Sequence, residues 1–190
     1  REGRGPDVLL VTIDTLRADR VGAYGDALAR TPNMDALARE GALFRQAHAV
    51  APLTLPSHAS MLTGLLPRRH GIRDNSGFVL APSVPTIAGG LQNAGYATAA
   101  FVSAYVLHHS TGLDSGFGHY HDPFHPMDLG KVAGQGEAEL PSADTANAAA
   151  AWWREAESPK FAWVHLFAPH APWDPLPGWE GDPYRGDVAR

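Results

Sequence analysis

Three short apolar runs in the chain alternate with segments whose apolar residues recur every three or four positions. The apolar runs are residues 7–13, 97–102 and 161–167, and they predict buried β-strands. The segments with the longer period are residues 31–41, 56–64, 83–95 and 142–157, and they predict helices with Pro, Ser or Thr in the first turn. Strands that alternate with helices predict an α/β fold, with helices on both faces of a mainly parallel sheet.

A carboxylate follows the first predicted strand. Residues 7–13 are apolar on both faces, which indicates a central strand of a parallel sheet, and Asp14 comes directly after it. Because ligands of open α/β sheets bind at the carboxyl edge of the strands, Asp14 is predicted to be a ligand-binding residue. The alternative is that Asp14 only caps the turn after the strand.

The stretch of residues 51–64 places a hydroxyl group in front of a helix. Pro52 and Pro56 fix the backbone on either side of Thr54, and Pro56 suits the first turn of a helix. Unpaired amide groups and the helix dipole at such an end favour a tetrahedral oxyanion, such as phosphate or sulfate. We therefore predict a site for an anionic ester at Thr54, although the same residues also fit an ordinary helix cap.

Composition narrows the function classes. The chain has 190 residues and is 44% hydrophobic, which is enough for the core of one domain. The formal charge of −5 and the scattered arginines argue against nucleic-acid binding. No apolar run approaches the roughly 20 residues of a membrane span. The absence of cysteine excludes disulfides and thiolate ligands and leaves the compartment open, with export to the periplasm or the extracellular space as one option.

Several motifs follow one another in a characteristic order. They are Asp14, residues 31–41, Phe44, the box Thr54-Leu55-Pro56-Ser57-His58, Leu62-Thr63-Gly64, residues 94–98 and residues 161–173. In this order they resemble the amino-terminal part of the sulfatases, within the alkaline phosphatase superfamily. The resemblance implies a three-layer α/β/α sandwich of the alkaline phosphatase type. It also implies that residues 1–190 are the amino-terminal portion of a catalytic domain whose sheet is incomplete at the carboxyl end.

The resemblance implies a metal-dependent hydrolase of small sulfate or phosphate esters. In sulfatases the first residue of the box is a Cys or Ser that is oxidised to formylglycine, whereas here it is Thr54, so we expect no formylglycine. We predict direct attack by Thr54 and a covalent intermediate, as the resemblance to threonine-using phosphodiesterases and phosphoethanolamine transferases implies. Because a free alcohol needs activation, we expect one or two divalent ions (Ca, Mg, Mn or Zn), with Asp14 and Thr54 as ligands.

Three histidines are predicted to contribute to the same site. His58 occupies the position of a family arginine that contacts the nucleophile, and on a helix it would share a face with Thr54. His70 lies in a polar segment that borders the site in the family. His170 matches a family histidine that contacts the transferred anion. We predict a catalytic role for His58 and substrate binding by His70 and His170.

One family feature is missing after the second predicted strand. Sulfatases usually carry a Lys and a His there, whereas residues 103–109 contain no lysine and end in His108 and His109. Adjacent side chains should point to different sides, so at most one of these two histidines is expected to serve the site. The missing lysine favours phosphoryl or phosphonyl substrates. Residues 112–122 show no ligand spacing that demands a metal, and we predict a surface loop.

Other functions and the extent of the site stay open at this point. A non-catalytic domain that kept the fold would also explain the altered box, and a transferase of a phosphoryl-linked group would need an acceptor. Family members complete the metal site from a later strand, so we expect residues 1–190 alone to be inactive and to hold no stoichiometric metal. Residues 123–141, rich in Pro, Gly and acids, predict a mobile loop. The sequence does not determine the oligomeric state.

Overall fold

Four strands form one sheet in the order β1-β4-β2-β3. They are β1 (Val8–Ile13), β2 (Ala97–Val102), β3 (His119–His121) and β4 (Lys160–Leu166). Strand β2 is parallel to both neighbours, with Ala97 opposite Lys160 and Ala99 opposite His119. At the start of β1, the Asp7 carboxylate accepts the Lys160 amide hydrogen (3.1 Å), so β1 and β4 begin at the same end of the sheet. The predicted parallel sheet is confirmed.

The structure, a computed structural model, describes residues 5–124 and 140–189. Most of the mobile loop that we predicted for residues 123–141 lies outside the described residues. The chain divides into two compact units. The first comprises residues 1–12 and 49–166, and the second comprises residues 13–48 and 167–190.

Strand β1 lies at one edge of the described sheet. Within the described residues it has a hydrogen-bonded neighbour on one side only, and a central position in the sheet of the whole domain stays a prediction. Leu9 and Val11 remain 54% and 46% exposed. An apolar run predicts burial of both strand faces, which the described part of this sheet does not provide for Leu9 and Val11, and it carries no information on how many neighbouring strands pair with it.

Six helices accompany the sheet in the described ranges. They are α1 (Pro32–Glu40), α2 (Thr54–Thr63), α3 (Pro67–His70), α4 (Ile87–Asn93), α5 (Ser142–Glu155) and α6 (Pro183–Val188). Helices α2 to α5 belong to the first unit, and α1 and α6 belong to the second. No described helix is both long and apolar enough to cross a membrane.

The first unit has helices on both faces of its sheet. On one face, Ala149 of α5 packs against Phe101 of β2 and Val164 of β4, and Trp152 extends this cluster. Because strand side chains alternate, the residues next to Val164 point to the opposite face, where Trp163 and His165 contact the His58 ring of α2. This arrangement confirms the three-layer α/β/α architecture.

Helix α4 is shorter than the predicted helix of residues 83–95. It begins after Thr86, whose hydroxyl accepts the Gly89 amide hydrogen (3.0 Å) and donates to the Ser115 carbonyl (2.8 Å). A threonine with an extended backbone (ψ 157°) that caps the next turn marks a helix start, so Pro85 lies just before the helix.

The second unit is held together by polar contacts around α1 and α6. Thr31, which precedes α1, accepts the Gly22 amide hydrogen through its hydroxyl (3.0 Å) and donates to the Asp35 carboxylate (3.1 Å). An ion pair joins Arg185 of α6 to the buried carboxylate of Asp26 (3.0 Å). The predicted helix at residues 31–41 is confirmed, but its first threonine fixes the preceding loop and makes no side-chain cap on the helix.

Candidate active site

The predicted nucleophile is the first residue of α2. Leu53 is the N-cap residue, with extended backbone angles (φ −128°, ψ 141°), and its carbonyl accepts the Ser57 amide hydrogen (3.1 Å). Thr54 is half-buried, and Pro56 lies within the first turn, where a missing amide hydrogen costs no helical bond. The helix thus begins two residues earlier than we predicted, and it includes Thr54.

The amide groups at this helix end are used more fully than the sequence suggested. The Leu55 amide donates to the side-chain oxygen of Asn75 (2.9 Å), and the Ser57 amide bonds to Leu53. Pro56 has no amide hydrogen. The Leu55 amide is therefore already paired and Pro56 offers none, while binding of an oxyanion at this helix end stays a prediction.

His58 is fixed to Thr54 through the main chain. Its Nδ1 lies 2.7 Å from the Thr54 carbonyl oxygen, which can only accept, so Nδ1 carries the proton of the neutral ring. Its Nε2 then accepts from the Thr12 hydroxyl (3.1 Å), and the Trp163 indole donates to the same hydroxyl oxygen (3.0 Å). With its side chain buried, His58 holds the backbone that carries the Thr54 hydroxyl. Contact of His58 with an anion stays a prediction.

His70 connects the end of α3 to α2. Its Nδ1 accepts the Ile72 amide hydrogen (3.2 Å), so in the neutral ring Nε2 donates to the Ser60 hydroxyl (2.9 Å). That hydroxyl donates in turn to the Pro56 carbonyl in the first turn of α2 (2.9 Å). The ring is 4% exposed and both nitrogens are bonded within the protein. These contacts support a structural role, and substrate binding by His70 stays an untested prediction.

We expect His70 to make stability depend on pH. Burial lowers the pKa of His70 below its ordinary value of 6.5. Between the lowered pKa and 6.5, the unfolded state binds a proton that the folded state excludes, so the free energy of unfolding falls as the pH decreases. We predict that His70→Gln loses part of this fall between about pH 7.5 and about pH 5.5, measured by thermal unfolding.

The exposed His48 provides the matched control for this measurement. His48→Gln removes an exposed imidazole and leaves the buried His70 in place. The stability of this variant should therefore depend on pH in the same way as that of the unmodified protein. An equal pH dependence in His70→Gln and the unmodified protein would contradict the prediction.

Asp14 directly follows β1 and is half-buried. The next residue, Thr15, has a left-handed backbone (φ 52°), a conformation that costs about 1–3 kcal/mol unless its surroundings enforce it. Those surroundings are specific: the Thr15 hydroxyl donates to the Pro169 carbonyl (3.2 Å), and the Tyr184 hydroxyl donates to the Thr15 carbonyl (2.7 Å). The turn after Asp14 is thereby joined to the residue that precedes His170, within the second unit.

His170 lines a cavity of 370 Å³ in the second unit. The cavity walls are Thr15, Arg17, Arg20, Pro169, His170, Ala171, Trp173, Asp182 and Tyr184. The Nδ1 of His170 bonds to the Ala171 carbonyl (2.7 Å), and its ring packs on Phe167 with centroids 4.4 Å apart. Arg17 forms two hydrogen bonds with Asp19 (2.9 and 2.7 Å). The cavity thus combines an imidazole, two guanidinium groups, the Asp182 carboxylate and aromatic walls.

Four contributors to this geometry were missed in the sequence. Thr12 bonds to the His58 ring, and Trp163 bonds to Thr12. Asn75 accepts the Leu55 amide hydrogen, and Tyr184 donates to the Thr15 carbonyl. Thr12 and Trp163 offered a signal, because each places a hydrogen-bonding group within an apolar strand. Asn75 and Tyr184 offered none, since their partners lie 20 and 169 residues away in the sequence.

The region after β2 differs from both expectations about it. Residues 119–121 form β3 and pair with β2, so they are not part of a surface loop. His108 and His109 approach the same carboxylate oxygen of Asp122, with His108 Nε2 at 3.6 Å and His109 Nδ1 at 2.8 Å. The expectation that these two side chains point to different sides is therefore wrong. Adjacent side chains can converge here because a short 3-10 turn (His109–Thr111) begins between them.

Comparison with known proteins identifies relatives over nearly the whole chain. A family model described as Sulfatase matches residues 6–189. The N-acetylglucosamine-6-O-sulfatase of Bacteroides thetaiotaomicron is 31% identical over 189 residues, which cover 93% of this chain and 33% of that protein. A solved structure described as a complex with its substrate D-glucosamine-2-N,6-O-disulfate has a TM-score of 0.74 at 25% identity, covering 91% of this chain and 36% of that chain.

A further solved structure supports the fold alone. The phosphonate monoester hydrolase of Agrobacterium radiobacter has a TM-score of 0.70 at 24% identity, covering 88% of this chain and 42% of that chain. The chain spans a third or less of the length of the curated relatives it matches first. These similarities confirm the family resemblance and the fold, while the roles of the individual site residues stay predictions.

Proposed function

The chain belongs to the sulfatase family, and on this basis we propose that the whole protein hydrolyses small anionic esters with the Thr54 hydroxyl as nucleophile. The observation that carries this proposal is the place of Thr54 at the start of α2, in the box where the family has its nucleophile. Threonine carries a methyl group on Cβ and cannot be oxidised to the formylglycine aldehyde. The reaction must therefore use the hydroxyl itself.

The proposed reaction has two displacements. In the first, the Thr54 hydroxyl gives up its proton and Oγ bonds to phosphorus while the bond from phosphorus to the ester oxygen breaks, and the leaving oxygen takes up a proton to depart as an alcohol or phenol. In the second, water attacks the same phosphorus, the bond to Oγ breaks, and a proton returns to the Thr54 hydroxyl. The products are the alcohol and the free phosphoryl or phosphonyl acid, and the enzyme is regenerated.

We propose that Asp14 and Thr54 contribute oxygen ligands to one or two divalent cations. The assignment rests on the order of the motifs along the chain, and a carboxylate and a hydroxyl suit hard cations such as Ca²⁺ and Mg²⁺. The enforced left-handed turn at Thr15 supports it, because that turn fixes the backbone from which the Asp14 carboxylate projects. When bound, such a cation supplies Lewis-acid activation of the nucleophilic oxygen.

We assign His58 a positioning role in this reaction. Its bond to the Thr54 carbonyl fixes the first turn of α2, and the chain of bonds through Thr12 to Trp163 fixes the ring itself. In-line attack requires the reacting atoms to approach within about 3–3.5 Å in the correct direction, so a mobile helix end would lower the rate.

We propose that His170 binds the substrate anion at the cavity of the second unit. The Arg17 and Arg20 guanidinium groups lie along the same cavity and favour anions there, although Asp19 pairs with both and Asp182 pairs with Arg20, which offsets part of their charge. The Trp173 ring offers a flat apolar surface for the organic part of an ester. A small ester with an aromatic or sugar group would fit these walls.

Phosphoryl or phosphonyl esters should be preferred over sulfate esters. Without an aldehyde to expel sulfate, the intermediate on Thr54 must be opened by a second displacement, a step well suited to phosphorus. The segment after β2 also lacks the lysine that sulfatases use to hold sulfate. The similarity to sugar sulfatases suggests sugar phosphate or sugar phosphodiester substrates as the natural class.

The test is a competition between matched substrates. The full-length protein would be supplied with divalent metal and with aryl phosphonate, aryl phosphodiester and aryl sulfate esters that share one leaving group. We expect kcat/KM for the phosphorus esters to exceed that for the sulfate by about 10²-fold or more, since one missing charged contact and a poor second step both act against sulfate. A clear preference for sulfate would overturn the substrate assignment.

A non-catalytic role is the second candidate, and the altered box and missing lysine favour it. A folded full-length protein that binds the phosphorus esters but turns over none of the three would support this alternative and end the proposal of hydrolysis.

A further inference from the structure

Three potential metal ligands converge at the carboxyl end of β3. They are His108, His109 and Asp122, and their ligand atoms all lie within 4.8 Å of one another. Asp122 is not among the predicted residues of the ester site, and at most one of the two histidines is expected to serve that site. His109 Nδ1 is 2.8 Å and His108 Nε2 is 3.6 Å from the same Asp122 oxygen. Two imidazole nitrogens and one carboxylate oxygen form a donor set typical of zinc sites with three protein ligands.

The distances between the three ligand atoms suit a tetrahedrally coordinated cation after small side-chain movements. Bonds of about 2.1 Å to zinc place tetrahedral ligand atoms about 3.4 Å apart. The His108 contact already has nearly this length, and the His109 contact is shorter because a hydrogen bond now joins its nitrogen to Asp122. A cation placed between the three atoms would replace that hydrogen bond by coordination.

The surroundings of the three side chains need one rearrangement, at the Ser110 amide. Coordination through His108 Nε2 places the ring proton on Nδ1, and the Ser110 hydroxyl lies 2.9 Å away as its acceptor. The Ser110 amide now donates to Nδ1 (3.2 Å), and this hydrogen bond must break when Nδ1 carries the proton. The His109 amide fixes Asp122 by donating to its carboxylate (2.7 Å), and the Tyr105 ring stacks on His108 at 5.4 Å.

We propose that His108, His109 and Asp122 bind one divalent cation of the zinc type. The cation joins the 3-10 turn of residues 109–111 to the end of β3, and a fourth coordination position remains for water or a ligand. Softer imidazole donors favour Zn²⁺ over Ca²⁺ and Mg²⁺, which prefer oxygen. This site departs from our expectation, drawn from the ester site alone, that residues 1–190 hold no stoichiometric metal.

Zinc titration of the purified full-length protein tests this site. Zinc content per chain would be measured by elemental analysis, zinc affinity by calorimetry, and site geometry by the visible absorption of Co²⁺ as a substitute. We expect Asp14→Asn to keep this zinc with unchanged affinity, since its carboxylate belongs to the ester site. The double variant His108→Ala, His109→Ala should lose one equivalent of zinc and the tetrahedral cobalt spectrum. Asp122→Asn removes a direct ligand and should weaken binding by at least the roughly 10- to 100-fold that loss of an outer-shell partner costs.

Controls separate loss of the site from loss of the fold. The His109 side chain is 55% exposed, so His109→Gln should fold normally, which circular dichroism would check. Although folded, this variant should bind zinc more weakly than the unmodified protein. His48→Ala removes an exposed histidine elsewhere and should leave zinc binding unchanged. Zinc stoichiometry and affinity that stay the same in His109→Gln and the double variant would overturn the proposal. Absence of saturable zinc binding in the unmodified protein would overturn it as well, whatever the outcome of the ester assays.

Discussion

Replacing Thr54 by alanine is expected to lower kcat on the preferred phosphorus ester by about 10³-fold or more, because the variant has no oxygen to form the covalent intermediate. The first turn of α2 should persist, since its bonds run between main-chain groups and through Asn75. Substrate affinity should therefore change little. The measurement is steady-state kinetics together with a binding assay on the same full-length variant.

Two variants make this test specific. Thr54→Ser keeps the nucleophilic oxygen and should retain part of the activity. Thr63→Ala makes the same change at the other end of α2, where the hydroxyl donates to the Ala59 carbonyl, and should leave kcat almost unchanged. If Thr54→Ala is folded and retains near-normal rates, the mechanism with a threonine intermediate is wrong.

Asp14→Asn should have the second largest effect, a loss of kcat/KM on the order of 10²-fold or more at limiting metal. The substitution keeps the shape of the side chain and removes the negative charge that attracts a divalent cation. Excess metal should restore part of the rate, because weakened metal affinity is the cause. The readout is activity as a function of metal concentration.

Asp19→Asn is the control for Asp14. Asp19 lies five residues after Asp14 in the sequence, but its carboxylate is exposed and pairs with Arg17 at the surface. Its removal should leave the metal dependence unchanged. An Asp14→Asn variant that requires no more metal than the unmodified protein would show that Asp14 is not a metal ligand.

The local periodicity of the sequence determined the parts of the fold that depend on neighbouring residues. Apolar runs predicted β2 and β4 to within a residue, and the three- and four-residue spacing predicted α1, α2 and α5. The same reasoning placed Asp14 after a strand and Thr54 at a helix end. These predictions succeeded because side-chain period and turn residues act over a few positions.

Tertiary structure decided which groups meet. The Asn75 side chain pairs with a helix amide, and Thr12 and Trp163 orient His58, over separations of 20 to 151 residues that leave no local trace. The apolar residues of β1 are local information, whereas the number of strands that pair with it and the exposure of Leu9 and Val11 depend on the rest of the fold. His108 and His109 converge on Asp122 because a 3-10 turn starts between the two histidines and β3 ends beside them. Only the folded chain brings this turn and the end of β3 together.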